Sequence, residues 1–195
     1  MRRSNKDRTE ATRQTLMDHA RELFVERGYN ETATPDIVAA AGVTRGALYH
    51  HFADKRDLFL AVIDREAERV AAEIAGAAGE AVSARDALVR GIATYFSAMA
   101  VPGRSRLLLL DGPAVMGIEG GRATDCDHAE ASLRDGLEAY LRETGSDLAG
   151  LDPLTRVLSA AFDRAVLAIA AGESRETYEQ AIIRLIDGLV TRPSR

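Results

Sequence analysis

The chain has 195 residues, 46% hydrophobic and 28% charged, with no Trp, five Pro and one Cys. That length can bury a proper core in one large or two small domains, and the composition is ordinary for a globular protein. Cys126 alone cannot form an internal disulfide, the basic start MRRSNKDRTE has no apolar run behind it to make a signal peptide, and Leu107–Leu110 is too short to cross a bilayer. A protein of the reducing cytoplasm, with no membrane partner, is expected.

The net charge of −5 is unevenly spread. Residues 1–56 hold ten Lys/Arg against eight Asp/Glu, and the remaining 139 residues hold fifteen against twenty-two. A positive end on an acidic body would orient the chain on a polyanion, although ordinary scatter also gives an asymmetry of this size.

The predicted elements are all helical. Arg2, Arg3, Lys6 and Arg8 lie on an N-terminal arm, either a solvated tail or a contact to a minor groove or phosphates. The first helix is expected over Thr9–Arg27, with Leu16, Ala20, Leu23 and Phe24 inward and Gly28 ending it. Next comes TPDIVAAAGVTRGALYHHF, Thr34–Phe52. Thr34 is placed to cap a short helix, with Pro35 where a missing N–H costs nothing. Ile37, Val38 and Ala41 form its inward stripe. Gly42 suits a left-handed turn. Thr44 is placed to cap a second short helix with Leu48 and Phe52 inward, leaving Gly46, Tyr49 and His50 outward and Arg45 at the edge. Two short helices on a Gly turn with a polar outer face fit a helix-turn-helix DNA reader, and they also occur in all-α proteins that never touch DNA.

Asp54 and Asp57 suit the start of a fourth helix that continues to about Ala75. Gly76–Glu80 is a break and the candidate boundary. Helices are then expected over Ser83–Ala100, Arg104–Asp111, Arg122–Glu143, from Pro153 to near Gly172, and over Ser174–Thr191, with Gly112-Pro113 breaking the short apolar one and Gly117, Gly120 and Gly121 interrupting the stretch that follows it. Leu154, Val157, Leu158, Ala161, Ala165, Ala168 and Ile169 on the penultimate helix, and Tyr178, Ile182, Leu185, Ile186 and Leu189 on the last, make two broad apolar faces. A four-helix homodimer interface would cover them.

Ala20, Leu23, Phe24, Gly28, Tyr29, Thr34, Ile37, Ala41, Gly42, Val43, Thr44, Leu48, Tyr49, His50, Phe52, Lys55, Leu58 and Phe59 occur in the order and spacing of the N-terminal domain of the TetR family of transcriptional regulators, which the run from about Thr9 to Asp64 resembles. LLLLDGPAVMG, Leu107–Gly117, and LIDGL, Leu185–Leu189, resemble segments of one group of TetR-like regulators more weakly. Pro35 and Asp36 depart from the polar and basic residues usual in the family.

The resemblance implies an all-α chain of about nine helices. A three-helix helix-turn-helix domain, residues 1–53, joins a helical ligand-binding and dimerisation domain, residues 54–195, through a connector helix from about 54 to 75. It implies a homodimer on a palindromic operator, a repressor released by a small-molecule effector that tilts the connector. Thr34, Thr44, Tyr49, His50 and Lys55 would hold phosphates, and Arg45 and Gly46 would approach base edges. Tyr95, Phe96, Met99, Leu108, Met116 and Phe162 are the candidates for an effector pocket, although such stripes are more often plain core.

Asp125-Cys126-Asp127-His128 contains metal-ligand side chains, but adjacent helical positions diverge, and Asp125 with His128 makes at most half a site. No phosphate-binding Gly loop, metalloprotease helix or Ser nucleophile elbow is found, and neither an enzyme nor a cofactor is expected. The rival reading is a helical small-molecule-binding or interaction protein that does not recognise an operator.

Overall fold

The computed structural model describes residues 5–79, 81–120 and 126–190, and among these there is no strand. The helices are α1 Asn5–Glu31, α2 Thr34–Ala40, α3 Arg45–His51, α4 Lys55–Ala78 and α5 Ala84–Met99. They continue with α6 Arg104–Arg106, a π-helical turn Leu107–Asp111, α7 Gly112–Gly120, α8 Cys126–Glu143, α9 Leu151–Ala170 and α10 Arg175–Asp187. With Arg104–Gly120 counted as one stretch, the described residues form the 9 helices expected. No described helix is long and apolar enough to cross a membrane.

Packing divides the chain into two compact units, Met1–Glu66 with Pro102–Ala123, and Ala67–Val101 with Thr124–Arg195. The first unit therefore holds more than residues 1–53. It also takes in the start of α4 and the segment that begins at Pro102.

The first unit is built on the inward stripes of three helices and the start of a fourth. Leu16, Ala20 and Phe24 of α1, Ile37 of α2, Leu48 of α3, and Leu58, Phe59 and Val62 of α4 are fully buried, and Leu107 of the π turn joins them. Phe24 meets Phe59 edge-on at 5.0 Å between centroids, and Tyr29 lies 4.8 Å from Phe59. Helix α1 begins at Asn5, four residues before the expected Thr9, so Arg8 lies on the helix and not on an arm. Arg2 and Arg3 lie outside the described residues. The regular helix breaks at Gly28, as expected (φ 84°, ψ 167°).

The expected break at Gly112-Pro113 does not occur. Gly112 keeps helical angles (φ −56°, ψ −61°), and its N–H bonds the Leu107 carbonyl five residues back. Pro113 has no N–H to give, and its ring would crowd the carbonyl four residues back in an α-helix. The wider π turn in front of it lets the helix run on. An interruption does come at Gly117, as expected there (φ 73°). Gly120 and Gly121, also expected to interrupt it, have no described side-chain environment.

Pro102 and Gly103 lead into α6. Gly103 has φ 79°, and a β-carbon placed there would lie 2.4 Å from both γ-carbons of Val25. Gly42 has φ 64° but open space around it. Gly103→Ala should therefore lose about 2–5 kcal/mol, from the left-handed penalty and the clash together. Gly42→Ala should lose only the first part, about 1–2 kcal/mol. Chemical denaturation followed by circular dichroism checks the difference, and equal losses would contradict it.

In the second unit α5 packs on α8, α8 on α9, and α10 on both α5 and α9. Phe96, Leu137, Leu141, Leu158, Phe162, Ala165, Ile182 and Ile186 are buried there. Helix α5 is capped by Ser83, whose hydroxyl accepts from the Asp86 N–H at 3.1 Å. Ser174 caps α10 in the same way, and α10 ends at Asp187. The expected continuation to Thr191 reaches beyond the described residues.

The apolar faces expected to be free on the last two helices are partly used inside the chain. Leu158, Ala165 and Ala168 of α9 and Ile182 and Ile186 of α10 are buried core. Val157 stays 68% exposed and Leu185 55% exposed. Leu154, Ala161, Ile169, Tyr178 and Leu189 are intermediate. A wide hydrophobic face on a helix in a thick bundle serves two neighbours, which the sequence alone cannot apportion.

Candidate nucleic-acid interface

The α2–turn–α3 unit is locked by local bonds. Ala33, in extended conformation (φ −97°, ψ 146°), is the N-cap of α2, and its side chain supplies no cap. The Ala33 carbonyl accepts from the N–H groups of Asp36 and Ile37 at 3.0 and 3.3 Å. Thr34 is thus the first helical residue, not the cap expected, because the helix begins one residue earlier. Pro35 falls in the first turn, where no intrahelical partner is lost. At the other end the Gly42 N–H bonds the Ala39 carbonyl and the Val43 N–H bonds the Val38 carbonyl, 3.2 and 3.1 Å. This crossed pair needs the left-handed residue that Gly42 supplies.

Thr44 caps α3 as expected: its hydroxyl oxygen accepts from the Ala47 N–H at 3.1 Å. Leu48 and Phe52 anchor the inner side. Arg45, Gly46, Tyr49 and His50 are exposed on the outer side. The Arg45 guanidinium lies over the Tyr49 ring at 5.4 Å, so two of the expected contact residues steady each other. Tyr49 is 43% exposed although aromatic, a side chain presented outward.

A second set of bonds fixes where this pair sits on α1 and α4. Asp54 accepts from the Asp57 N–H, and Asp57 accepts from the Ala53 N–H, both at 2.8 Å, a reciprocal cap at the start of α4. Lys55 donates to the carbonyls of Tyr29 and Thr32 at 2.9 and 3.1 Å, and its ammonium lies 4.2 Å from the centre of the Tyr29 ring. Lys55 was expected on a phosphate. Here most of its donor capacity ties the start of α4 to the end of α1. Buried Thr32 donates to the Gly28 carbonyl at 2.8 Å. Thr34 is half-buried in the first turn of α2.

Deeper in this unit lies a group that spacing did not reveal. Glu66 of α4 is fully buried between Arg21 of α1 (3.1 Å) and Arg104 of α6 (3.0 Å). Arg21 also donates to the Pro102 carbonyl at 3.2 Å. Burial alone would push the Glu66 carboxyl up. The hydrogen bond from Arg104 and the charges of both guanidiniums outweigh it and hold the carboxyl below its ordinary value.

The expected pocket residues divide between the units. Leu108 packs against the core of the first unit, and Met116 lies beside Gly112 in the same unit. In the second unit Phe96, Met99 and Phe162 are buried. Tyr95, Phe96 and Phe162 form an aromatic group with centroids 5.4–5.8 Å apart. The half-buried Tyr95 hydroxyl donates to Asp163 at 3.0 Å. Burial raises the Asp163 carboxyl, the Tyr95 bond lowers it, and nearby Glu130 raises it, for a net upward shift. Asp163 was not foreseen, because its setting depends on a partner in α5.

Asp125 lies outside the described residues, as do the side-chain environments of Cys126 and Asp127, and His128 is exposed. Among the described residues no group of His, Cys, Asp and Glu could hold a metal ion.

Residues 16–62 match the family model described as bacterial regulatory proteins, tetR family, and residues 85–192 match the one described as tetracyclin repressor-like, C-terminal domain. The HTH-type transcriptional repressor BepR of Brucella suis is 45% identical over 65 residues, 33% of this chain and 31% of that protein. The HTH-type transcriptional activator FasR of Mycolicibacterium smegmatis is 32% identical over 95 residues, 49% of this chain and 43% of that protein. The aligned part thus spans less than half of either relative. The crystal structure of a TetR-family transcriptional regulator from Pectobacterium atrosepticum superposes with a TM-score of 0.73 at 27% identity, over 98% of this chain and 100% of that one. Two family models that follow one another along the chain, the longer covering more than half of it, and a fold shared end to end lead to one conclusion: the chain belongs to the TetR family of bacterial regulatory proteins.

Proposed function

We propose that this chain is a ligand-responsive transcriptional regulator, a repressor, that binds a palindromic operator in the cytoplasm as a homodimer and is released by a small-molecule effector. The observation that carries the reading is the outer face of α3. Arg45, Gly46, Tyr49 and His50 stand exposed on a seven-residue helix whose cap, turn and inner side are all fixed. A helix so held, with hydrogen-bonding groups outward, suits the major groove.

In this reading Arg45 pairs with a guanine, the commonest specific contact, and Gly46 lets the backbone approach. Thr34, Thr44, Tyr49 and His50 take phosphates. Lys55 chiefly positions the helices and has one N–H left to offer a phosphate. The name of BepR as a repressor supports the sign of regulation, and FasR, named an activator, keeps a test of that sign worthwhile.

The homodimer reading is supported by the exposed apolar residues Val157 of α9 and Leu185 of α10. Residues of this kind at helical spacing with Leu154, Ala161 and Leu189 make a face that a second copy can cover. The effector reading rests on the Tyr95, Phe96, Phe162 group, where the Tyr95–Asp163 pair offers a polar anchor beside aromatic rings. An effector acts only if it binds one conformation better than the other.

Light scattering and a gel-shift with DNA upstream of the chain's own gene test the reading together. The wild type should run at twice the chain mass and give a salt-sensitive, sequence-selective shift. Leu185→Glu should run as a monomer and lose the shift. A monomeric wild type that still binds selectively would remove the homodimer, and the absence of any selective shift would remove the regulator.

A further inference from the structure

Most arginines at the helix contacts of the first unit are tied to acids. Arg21 and Arg104 pair with Glu66, Arg27 with Glu26 and Asp36, Arg65 with Asp18, and Arg106 with Asp111. Arg13 and Arg45 instead lie over aromatic rings, and neither has an ion pair among the described residues. Arg45 opens the reading helix. Arg13 belongs to α1, yet its guanidinium carbon lies 5.4 Å from the centre of the Phe52 ring, the residue that ends α3.

Two imidazoles stand beside it. The His50 and His51 rings are 5.2 Å apart, and the His51 ring is 6.4 Å from Phe52. Burial holds the His51 imidazole below its ordinary value, and the charges of His50 and Arg13 lower it further, with Glu10 acting the other way. Glu10, the one acid in that set, accepts from the Gln14 amide at 2.7 Å. Basic side chains from two helices thus meet at one end of α3, and no acid is bonded to any of them among the described residues. An anion brought to them would favour the charged imidazole beside the guanidinium.

We propose that Arg13, His50 and His51 form a phosphate-binding cluster at the C-terminal end of α3, so that DNA is gripped at both ends of the reading helix. The inference rests on the reading of α3 as a DNA reader and extends it to α1, where no contact was assigned. A seven-residue helix is about 10 Å long. Its two ends therefore meet different phosphates across a major groove about 12 Å wide. The guanidinium stacks on Phe52 with its donor edge free, the posture suited to a phosphate.

The cluster also links binding to protons. A bound phosphate favours the charged imidazole of His51, so the complex holds more protons than the free protein near neutrality. Operator affinity then rises as pH falls from 8 to 6.

Fluorescence anisotropy on an operator duplex, with the full-length chain between 50 and 300 mM salt, tests this. Arg13→Gln should weaken binding several-fold and reduce the slope of log K against log salt by about 1 for each subunit, with base preference unchanged. Arg13→Lys should restore the slope, because it returns the charge. Arg27→Gln, at a residue already paired with acids, should leave it alone. His51→Gln should flatten the rise between pH 8 and 6. If Arg13→Gln keeps the wild-type slope while Arg45→Ala loses base preference, the cluster is wrong and the reader stands. If Arg13→Lys does not restore the slope, Arg13 acts through packing and the proposal falls. If the wild type shows no selective binding, the underlying reading fails first, and this inference with it.

Discussion

Replacing Glu66 with alanine should destabilise the protein by about 3–5 kcal/mol, the usual result of removing one partner from a buried ionic group. Glu66 is fully buried, and its loss removes the carboxylate with which Arg104, 5% exposed, and Arg21, 20% exposed, both pair. Besides Glu66, Arg21 has the Pro102 carbonyl, to which one terminal nitrogen donates at 3.2 Å. Glu66→Gln keeps the shape and some bonding, so its loss should be smaller. Replacing all three residues by Met, Leu and Met should recover most of the stability, because desolvating the ions is itself costly.

The acid side of the stability curve should carry the same signature. The folded Glu66 carboxyl sits below its ordinary value of 4.5. Its contribution is therefore fully present above about pH 4.5 and is lost as pH falls through the folded value. Urea unfolding followed by circular dichroism should show the wild type losing more stability than Glu66→Gln between pH 5 and 3.5. Parallel losses in the two proteins would mean that Glu66 is not held by its arginines.

The second large effect should fall on DNA. Arg45→Ala should remove preference at one base pair in each half-site, about 1–3 kcal/mol of discrimination per half-site and twice that over a dimer. Tyr49→Phe retains the ring under Arg45 and removes only the hydroxyl, so it should weaken all sequences equally. Tyr49→Ala removes both, and should combine general weakening with some loss of preference. Both sites are exposed and lie away from the core, so stability should change by no more than about 0.5 kcal/mol. Competition assays with single-base operator variants separate the two kinds of loss. Equal binding of wild type and Arg45→Ala to every variant would mean that Arg45 reads no base.

What could be read in the sequence was local. The Gly42 turn, the Thr44 cap, the Asp54–Asp57 start of α4 and the Leu48/Phe52 anchor depend on residues within a few positions of one another, and each appears as expected. The readings that changed depend on distant partners. Lys55 reaches carbonyls 23 and 26 residues away. Glu66 meets Arg104 38 residues on, and Pro102–Ala123 joins the first unit only because the chain returns to it. Leu158 and Ile182 look the same as Val157 and Leu185 by hydrophobicity, and only packing tells which of them is spent within the chain. The contribution of Gly112-Pro113 was misread for another reason. Local rules treat proline as a helix stop, whereas a π turn supplies the space that proline requires.

The outer face of α3 is the centre of the account, and a footprint tests it most directly. Hydroxyl-radical cleavage of the DNA upstream of the chain's own gene, at about 150 mM salt, a physiological ionic strength, should show two protected half-sites about one helical turn or more apart. Arg45→Ala should weaken their protection relative to the flanking DNA while general, salt-sensitive binding persists. Uniform cleavage with wild-type protein present at saturating concentration would contradict the reading of α3 as a DNA reader.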